Sequence, residues 1–272
     1  MAETIPLWNK NVPGFDPAIA QPKPRLAPYL LAGDEPKPCI IVCPGGGYWI
    51  HAPHEAEPVA QWLNGLGINS FVLFYRTTPY HHPYPMLDGQ RAVRLVRARV
   101  RKFGVDPQRV GILGFSAGGH LASTVGTHFD AGDPQAADPV ERVSCRPDAL
   151  ILCYPVITFG EYRHDGSRAA LLGAENPPPE LVTSLSNELQ VTPQTPPTFL
   201  WHTANDDGVP VENSLLFAGA LSRNKIPFDL HVFADGPHGV GLAEQNPTLH
   251  LWTKACENWL RSIGFAGPEP RD

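Results

Sequence analysis

An α/β fold, with a mainly parallel sheet flanked by helices on both faces, is what this sequence predicts, and three observations carry the prediction. The chain has 272 residues of which 42% are hydrophobic, enough for a single buried core without disulfides or metal. From residue 38 onward, short strand-like apolar runs alternate with amphipathic helical stretches, the order that right-handed βαβ crossovers impose. The polar motifs that look chemical follow such runs directly, at the strand ends where open parallel sheets place their sites.

Taken in order, residues 1–37 are rich in proline and weakly periodic, with one strand expected at 25–31, and are read as a wrap around the edge of the core. The rhythm then begins with a strand at 38–43, a helix at 55–66, a strand at 69–75, a helix at 87–103, a strand at 110–114 and a helix at 117–128. In the helix expected at 87–103, Ala92, Val93, Leu95, Val96 and Val100 fall mostly on one side. Its basic residues Arg91, Arg94, Arg97, Arg99, Arg101 and Lys102 therefore read as a solvated face. The second half continues with strands at 149–154, 198–203 and 228–233 and helices at 211–223 and 247–262. Between them, residues 155–196 show no strand signal and hold two proline clusters, 175–180 and 192–197. That is too long for a plain connection, so the segment is read as a cap or insertion within one domain spanning 1–272.

Composition removes several classes of function. With 21 basic and 27 acidic residues the net charge is −6, which argues against a nucleic-acid binder. No apolar stretch approaches the roughly 20 residues a membrane span needs. The first eight residues lack the basic start and apolar region of a secretory signal, so a cytoplasmic protein is expected. Cys39, Cys43, Cys145, Cys153 and Cys256 form no C-x-x-C pair and read as buried, reduced thiols rather than zinc ligands or a disulfide framework. The 31 prolines, about twice the usual share, punctuate many loops and suit an enzyme with elaborated connections.

The strongest chemical signal is Gly114-Phe115-Ser116-Ala117-Gly118, placed after an apolar strand and at the start of a helical pattern. A serine on a sharp strand-to-helix turn needs glycines two before and two after, because side chains there would collide with neighbouring backbone. Ser116 is thus the candidate nucleophile. Cys43-Pro44-Gly45-Gly46-Gly47-Tyr48 lies upstream, also at a strand end, and its successive glycines expose N–H groups of the kind an oxyanion hole requires. Gly46 or Gly47 supplies one donor in this reading and Ala117 the other. A phosphate loop is disfavoured because its Gly-x-Gly-x-x-Gly and Gly-Lys-Ser/Thr patterns are missing.

A base and its orienting acid should follow in the order Ser, acid, His. His238, in Asp235-Gly236-Pro237-His238-Gly239, stands after the strand at 228–233 and is the candidate base. Asp206 opens the pattern Asp-x-x-Val-Pro after the preceding strand and is the candidate acid, with Asp207 as the alternative. Tyr48 and Trp49 are candidates for lining the acyl pocket. His51, His54, His81 and His82 read as loop histidines, since no cluster of metal-ligand spacing accompanies them. His120 reads as a packed helix residue.

These motifs together resemble the α/β-hydrolases, and more narrowly the acetyl esterase and acetylxylan esterase-like group, some of whose members are labelled xylanases. The resemblance rests on Val42 to Tyr48, Phe74-Tyr75-Arg76, Tyr84 to Asp88, Gly114 to Leu121, Trp201-His202-Thr203, Val209 to Ser214 and Pro237-His238-Gly239, spanning roughly residues 38–242. It implies a Ser116, Asp206, His238 triad, hydrolysis of short acyl esters of a small molecule or oligosaccharide, and neither metal nor organic cofactor. Hormone-sensitive-lipase-like esterases rank second: they carry His-Gly-Gly-Gly and Gly-Asp-Ser-Ala-Gly, whereas here Pro44 precedes the glycines and Phe115 the serine. A non-catalytic binding module on the same fold is a third alternative. A true xylanase would need two opposed carboxylates that no motif marks.

Overall fold

The computed structural model describes residues 3–174 and 176–267. Met1, Ala2, Glu175 and residues 268–272, which belong to the expected wrap, proline stretch and 1–272 domain, lie outside the described residues. Among the described residues eight strands form one sheet: β1 (Ile5–Pro6), β2 (Arg25–Tyr29), β3 (Lys37–Cys43), β4 (Asn69–Phe74), β5 (Val105–Phe115), β6 (Leu150–Cys153), β7 (Thr198–Thr203) and β8 (Phe228–Phe233). Their order is β1-β2-β4-β3-β5-β6-β7-β8. β1 and β2 pair antiparallel, as do β2 and β4, and every later pair is parallel. The proline-rich N-terminal segment therefore extends one edge of the sheet.

The apolar runs need no polar alternation because helices cover both faces. Ile40, Val42, Leu113, Phe115, Ile151 and Trp201 point to one face, where they meet α1 (Glu57–Gly65) and α8 (Pro247–Ser262). Trp201 stacks on Trp252 of α8 with ring centroids 5.3 Å apart. Ile41, Cys43, Ile112, Leu150, Leu152 and Leu200, one residue out of phase, point to the other face. There they meet α2 (Tyr84–Ala98), α4 (Ser116–Thr127) and α7 (Glu212–Arg223). A short α3 (Val100–Phe103) follows α2 after a break at Arg99, so the expected 87–103 helix is two helices, the first beginning earlier, with Pro85 in its first turn. β5 also starts earlier than the expected 110, because Val105 pairs with Lys37 before an irregularity brings Val110 opposite Cys39. All five cysteines are buried and free.

The arginines of α2 are not a solvated face. Arg91 and Arg94 are buried, and Arg91, Arg94 and Arg97 form a row at i, i+3 and i+6 that docks residues 130–148. Arg91 donates to Asp138 and to the Leu7 carbonyl, Arg94 to Asp130 and the Val143 carbonyl, and Arg97 to Asp148 and the Ser144 carbonyl. The helical pattern cannot reveal this, because the acidic partners come from a separate, irregular segment.

Residues 155–196 carry α5 (Asp165–Leu172) and α6 (Pro179–Ser184) and no strand. Asn187 fastens the segment to α4 by donating to the His120 carbonyl and to Ser123 Oγ, and His120 Nε2 donates to the Leu185 carbonyl. Asn213 of α7 accepts from the N–H groups of Ile157 and Thr158. No helix among the described residues is long and apolar enough to cross a membrane.

After β4, Arg76 forms a fully buried pair with Asp88 of α2, with Nη2 to Oδ1 at 2.6 Å and the Arg76 N–H to Oδ2 at 2.7 Å. The same guanidinium donates to the Pro13 carbonyl and lies 4.8 Å from the Tyr84 ring, joining the N-terminal segment to the sheet. Removing one partner leaves an uncompensated buried charge. Asp88→Asn should therefore cost about 3–5 kcal/mol, read as a lower urea midpoint at unchanged slope.

Candidate active site

The site forms where three strand ends and their loops converge. β5 ends at Phe115 and α4 begins at Ser116, whose φ of 51° is the left-handed conformation of a sharp elbow. Such a conformation costs on the order of 1–3 kcal/mol and persists only when its surroundings over-determine it. Here they do: a Cβ at Gly114 would lie 2.1 Å from the Gly118 carbonyl oxygen, and one at Gly118 would lie 2.1 Å from the Cys43 carbonyl oxygen. Both glycines are required by contact with backbone, as the spacing predicts.

That contact also sets the glycine loop beside the elbow. A Cβ at Gly45 would meet Ser116 Cβ at 3.1 Å, and Gly46 and Gly47 have φ of 121° and 65°. Gly45 donates its N–H to Glu55 Oε2 at 2.7 Å, whereas the N–H groups of Gly46, Gly47 and Ala117 have no hydrogen-bond partner among the described residues. Ala117 sits in the first turn of α4, where backbone donors have no intrahelical acceptor and the helix dipole favours negative charge.

His238 reaches Ser116 from the loop after β8, with Nε2 2.8 Å from Oγ, and its Nδ1 lies 2.8 Å from Asp206 Oδ2. A carboxylate only accepts, so Nδ1 carries the hydrogen and Nε2 is left to accept from the serine hydroxyl. Asp206 Oδ1 accepts from the N–H groups of Gly208 and Val209 at 2.9 and 2.8 Å. Burial raises the proton affinity of this carboxyl, but hydrogen bonds from His202, His238 and the Val209 N–H outweigh it and hold Asp206 well below the usual carboxylate range. Asp207 is exposed and points elsewhere. The acid and histidine loops are tied together by the Thr203 hydroxyl donating to the Gly236 carbonyl at 2.9 Å and the Gly236 N–H donating to Asn205 Oδ1 at 3.0 Å. The arrangement can pass a proton from Oγ to Nε2.

The two expected pocket residues are placed differently from one another. Tyr48 is 1% exposed and packs in the core, its phenol 2.9 Å from His120 Nδ1, because a positive φ of 65° turns its side chain inward. Trp49 is 56% exposed and walls a groove of about 220 Å³ with Gln21, Arg25, His51 and Phe74, a groove that holds none of Ser116, Asp206 and His238. A larger cavity of about 930 Å³ between the sheet edge and α1, lined by Arg25, Tyr29, His51 and Gln61, is also separate from them. Among the described residues no group of three or more His, Cys, Asp or Glu side chains is placed to hold a metal ion.

Sequence reasoning missed a polar link behind the site. Glu55 is buried; its Oε2 holds the Gly45 N–H and its Oε1 accepts from the Tyr154 hydroxyl at 2.7 Å. The Tyr154 oxygen accepts in turn from the Gly241 N–H at 2.8 Å, and its ring packs edge-on to His238 with centroids 4.9 Å apart. Burial pushes the Glu55 carboxyl upward against these two donors. His54 adds a second tie by donating from Nε2 to the Gly239 carbonyl at 2.8 Å. The link thus connects the glycine loop to the histidine loop. A glutamate at the start of a predicted helix ordinarily reads as a solvated residue, so nothing in the local pattern singles it out.

Known proteins share this arrangement of elements. The BD-FAE family model matches residues 29–221. Endo-1,4-beta-xylanase B of Butyrivibrio fibrisolvens is 42% identical over 245 residues, which are 87% of this chain and 38% of that protein. An acetylxylan esterase of Xylanibacter ruminicola is 33% identical over 238 residues, 86% of this chain and 46% of that protein. The chain thus spans less than half the length of these two curated relatives. A crystal structure described as an acetyl ester-xyloside bifunctional hydrolase from Caldicellulosiruptor lactoaceticus superposes with a TM-score of 0.96 at 58% identity, covering 97% of each chain.

The Glu55 link has a direct consequence. In Glu55→Gln the amide oxygen can keep the Gly45 N–H only if the NH₂ faces the Tyr154 hydroxyl, which must then give up donating and accept a second N–H beside that of Gly241. Whatever reaction Ser116 performs should slow by about tenfold or more in kcat/KM, with a smaller change in thermal midpoint, measured side by side with the parent protein.

Proposed function

The chain belongs to the BD-FAE family of α/β-hydrolases, and from that premise we propose that it is a serine carboxylesterase that removes acetyl or similarly short acyl groups from a carbohydrate, of the xylo-oligosaccharide class. One observation carries the reading: the unbroken 2.8 Å and 2.8 Å links from Ser116 through His238 to Asp206, beside three unpartnered N–H groups.

Ser116 Oγ attacks the acyl carbon while His238 Nε2 takes its proton, and Asp206 stabilises the imidazolium formed. Charge that develops on the carbonyl oxygen is received by the N–H of Ala117 with that of Gly46 or Gly47; a single donor of this kind is worth about 10²–10³ in kcat. His238 then returns the proton to the departing alcohol, and a water molecule, deprotonated by the same imidazole, releases the acyl group. Residues 155–196 form a cap in this reading.

The acetyl and xylan parts of the proposal are supported by the names of the Xylanibacter and Caldicellulosiruptor proteins. Glycoside hydrolysis at this site is disfavoured because it needs two carboxyl groups flanking the bond. Asp206 is engaged by His238 and Glu55 by Gly45 and Tyr154.

Initial rates on p-nitrophenyl esters from acetate to octanoate, run beside acetate release from acetylated xylan, test the substrate. The expected result is a preference for acetate with release from xylan; a preference for longer chains would favour a lipase-like general carboxylesterase, and no activity on any ester would leave a binding module. Ser116→Ala should lower kcat by about 10⁴-fold or more while the fold survives. Asp206→Asn should cost about 10⁴ in kcat and Asp207→Asn very little, and the reverse order would move the acid by one position.

A further inference from the structure

His202 occupies the fifth position of β7 and is completely buried, yet the reaction proposed above gives it no part. Its Nε2 lies 2.9 Å from the Val209 carbonyl oxygen and 3.4 Å from Asp206 Oδ2, and its Nδ1 lies 2.8 Å from the hydroxyl of Ser214, itself buried in α7. A carbonyl can only accept, so the hydrogen is on Nε2, and Nδ1 is left to accept from the Ser214 hydroxyl. The ring is therefore held as a neutral tautomer with its one N–H on the Val209 carbonyl and the same edge of the ring 3.4 Å from Asp206 Oδ2.

Asp206 Oδ2 accepts from the His238 imidazole N–H at 2.8 Å and lies 3.4 Å from His202 Nε2, while Oδ1 receives two backbone N–H groups. The geometry points to His202 as a positioning residue for the triad acid: with the Val209 carbonyl fixing its tautomer, its Nε2–H edge, 3.4 Å away, offsets part of the charge of the Asp206 oxygen that His238 uses. The inference rests on the esterase reading and deepens it.

The chemical consequence concerns proton return. Sharing the charge of Oδ2 with a second donor leaves less of it for the His238 imidazolium, so His238 gives its proton to the leaving alcohol more readily. Without the His202 N–H, the dyad would hold that proton more tightly. The other titratable groups facing it are His164 from the cap, Tyr154 from the end of β6 and, behind Tyr154, Glu55; a substitution at His202 leaves all three in place.

Two esters separate this role from packing. Ethyl acetate must have its leaving oxygen protonated, whereas p-nitrophenoxide leaves without a proton. His202→Asn keeps a polar group near Nδ1 and loses the Nε2–H; His202→Gln carries an amide N–H out to the Nε2 position. Expected for His202→Asn is a loss of about tenfold to a hundredfold in kcat/KM on ethyl acetate, a clearly smaller loss on p-nitrophenyl acetate, and an acid limb of the pH profile displaced upward. His202→Gln should restore most of both. Equal losses on the two esters, no rescue by glutamine, or an acid limb that stays put or moves down would overturn the inference. If His202→Asn does not fold, His202→Leu, which fills a similar volume and has no N–H beside Asp206, must show the same divergence between esters, and its absence overturns the inference equally. Ser116→Ala, run in parallel, reports separately on the esterase reading, which fails if that variant keeps its activity.

Discussion

The close approach of the β5–α4 turn to the end of β3 is the constraint on which the rest of the site depends. Gly118 stands against the carbonyl oxygens of Cys43 and Pro44 with no room for a methyl group, and Gly114 against the carbonyl of Gly118. This contact forces Ser116 into a left-handed conformation and at the same time seats the glycine loop beside it. Ser116 and the backbone N–H groups are thus brought together by a single steric requirement, built on the buried ends of β3 and β5. Placing them on rigid elements rather than on free loops is what allows electrostatic stabilisation without reorganisation during reaction.

Around that contact, charge is buried only where donors surround it. Asp206 has two backbone N–H groups and the His238 imidazole N–H, with His202 Nε2 3.4 Å away, and Glu55 has one backbone N–H and one phenol. Asp88 has a guanidinium and a backbone N–H. Each carboxylate also joins segments distant in sequence: Asp206 brings the loops after β7 and β8 together, Glu55 links the glycine and histidine loops, and Asp88 ties the N-terminal segment through Arg76 to the sheet. An unpaired carboxylate in any of these places would be strongly destabilising, so folding and assembly of the site are coupled.

The histidines illustrate how position overrides residue type. His238 is half-buried between a hydroxyl and a carboxylate and has both ring nitrogens engaged in the reacting chain. His120, on the elbow helix only four residues from Ser116, is completely buried between Tyr48 and the Leu185 carbonyl, and burial lowers it to about 3. It holds the cap segment to α4 as a neutral ring. His202 lies between these cases: buried and neutral like His120, but touching the acid that serves His238.

Fold class, strand succession and the order Ser116, Asp206, His238 were legible in the sequence, because they rest on local rules. Strands buried on both faces are apolar, helices are periodic, and an elbow demands glycines at fixed offsets whatever surrounds it. What remained out of reach was every partnership between distant segments. Arg91 and Arg94 read as solvated because Asp130, Asp138 and Glu141 lie in a separate stretch 36 to 50 residues away. Tyr48 read as a pocket residue because its inward turn depends on a positive φ that the glycines before it do not reveal. Glu55 and Tyr154 carried no signal at all, and His202 stood in the Trp201-His202-Thr203 stretch without a role attached to it. The choice of Asp206 over Asp207 likewise belonged to tertiary structure: neighbouring identical side chains diverge along the backbone, and only the packing of the β7 and β8 loops decides which one meets His238.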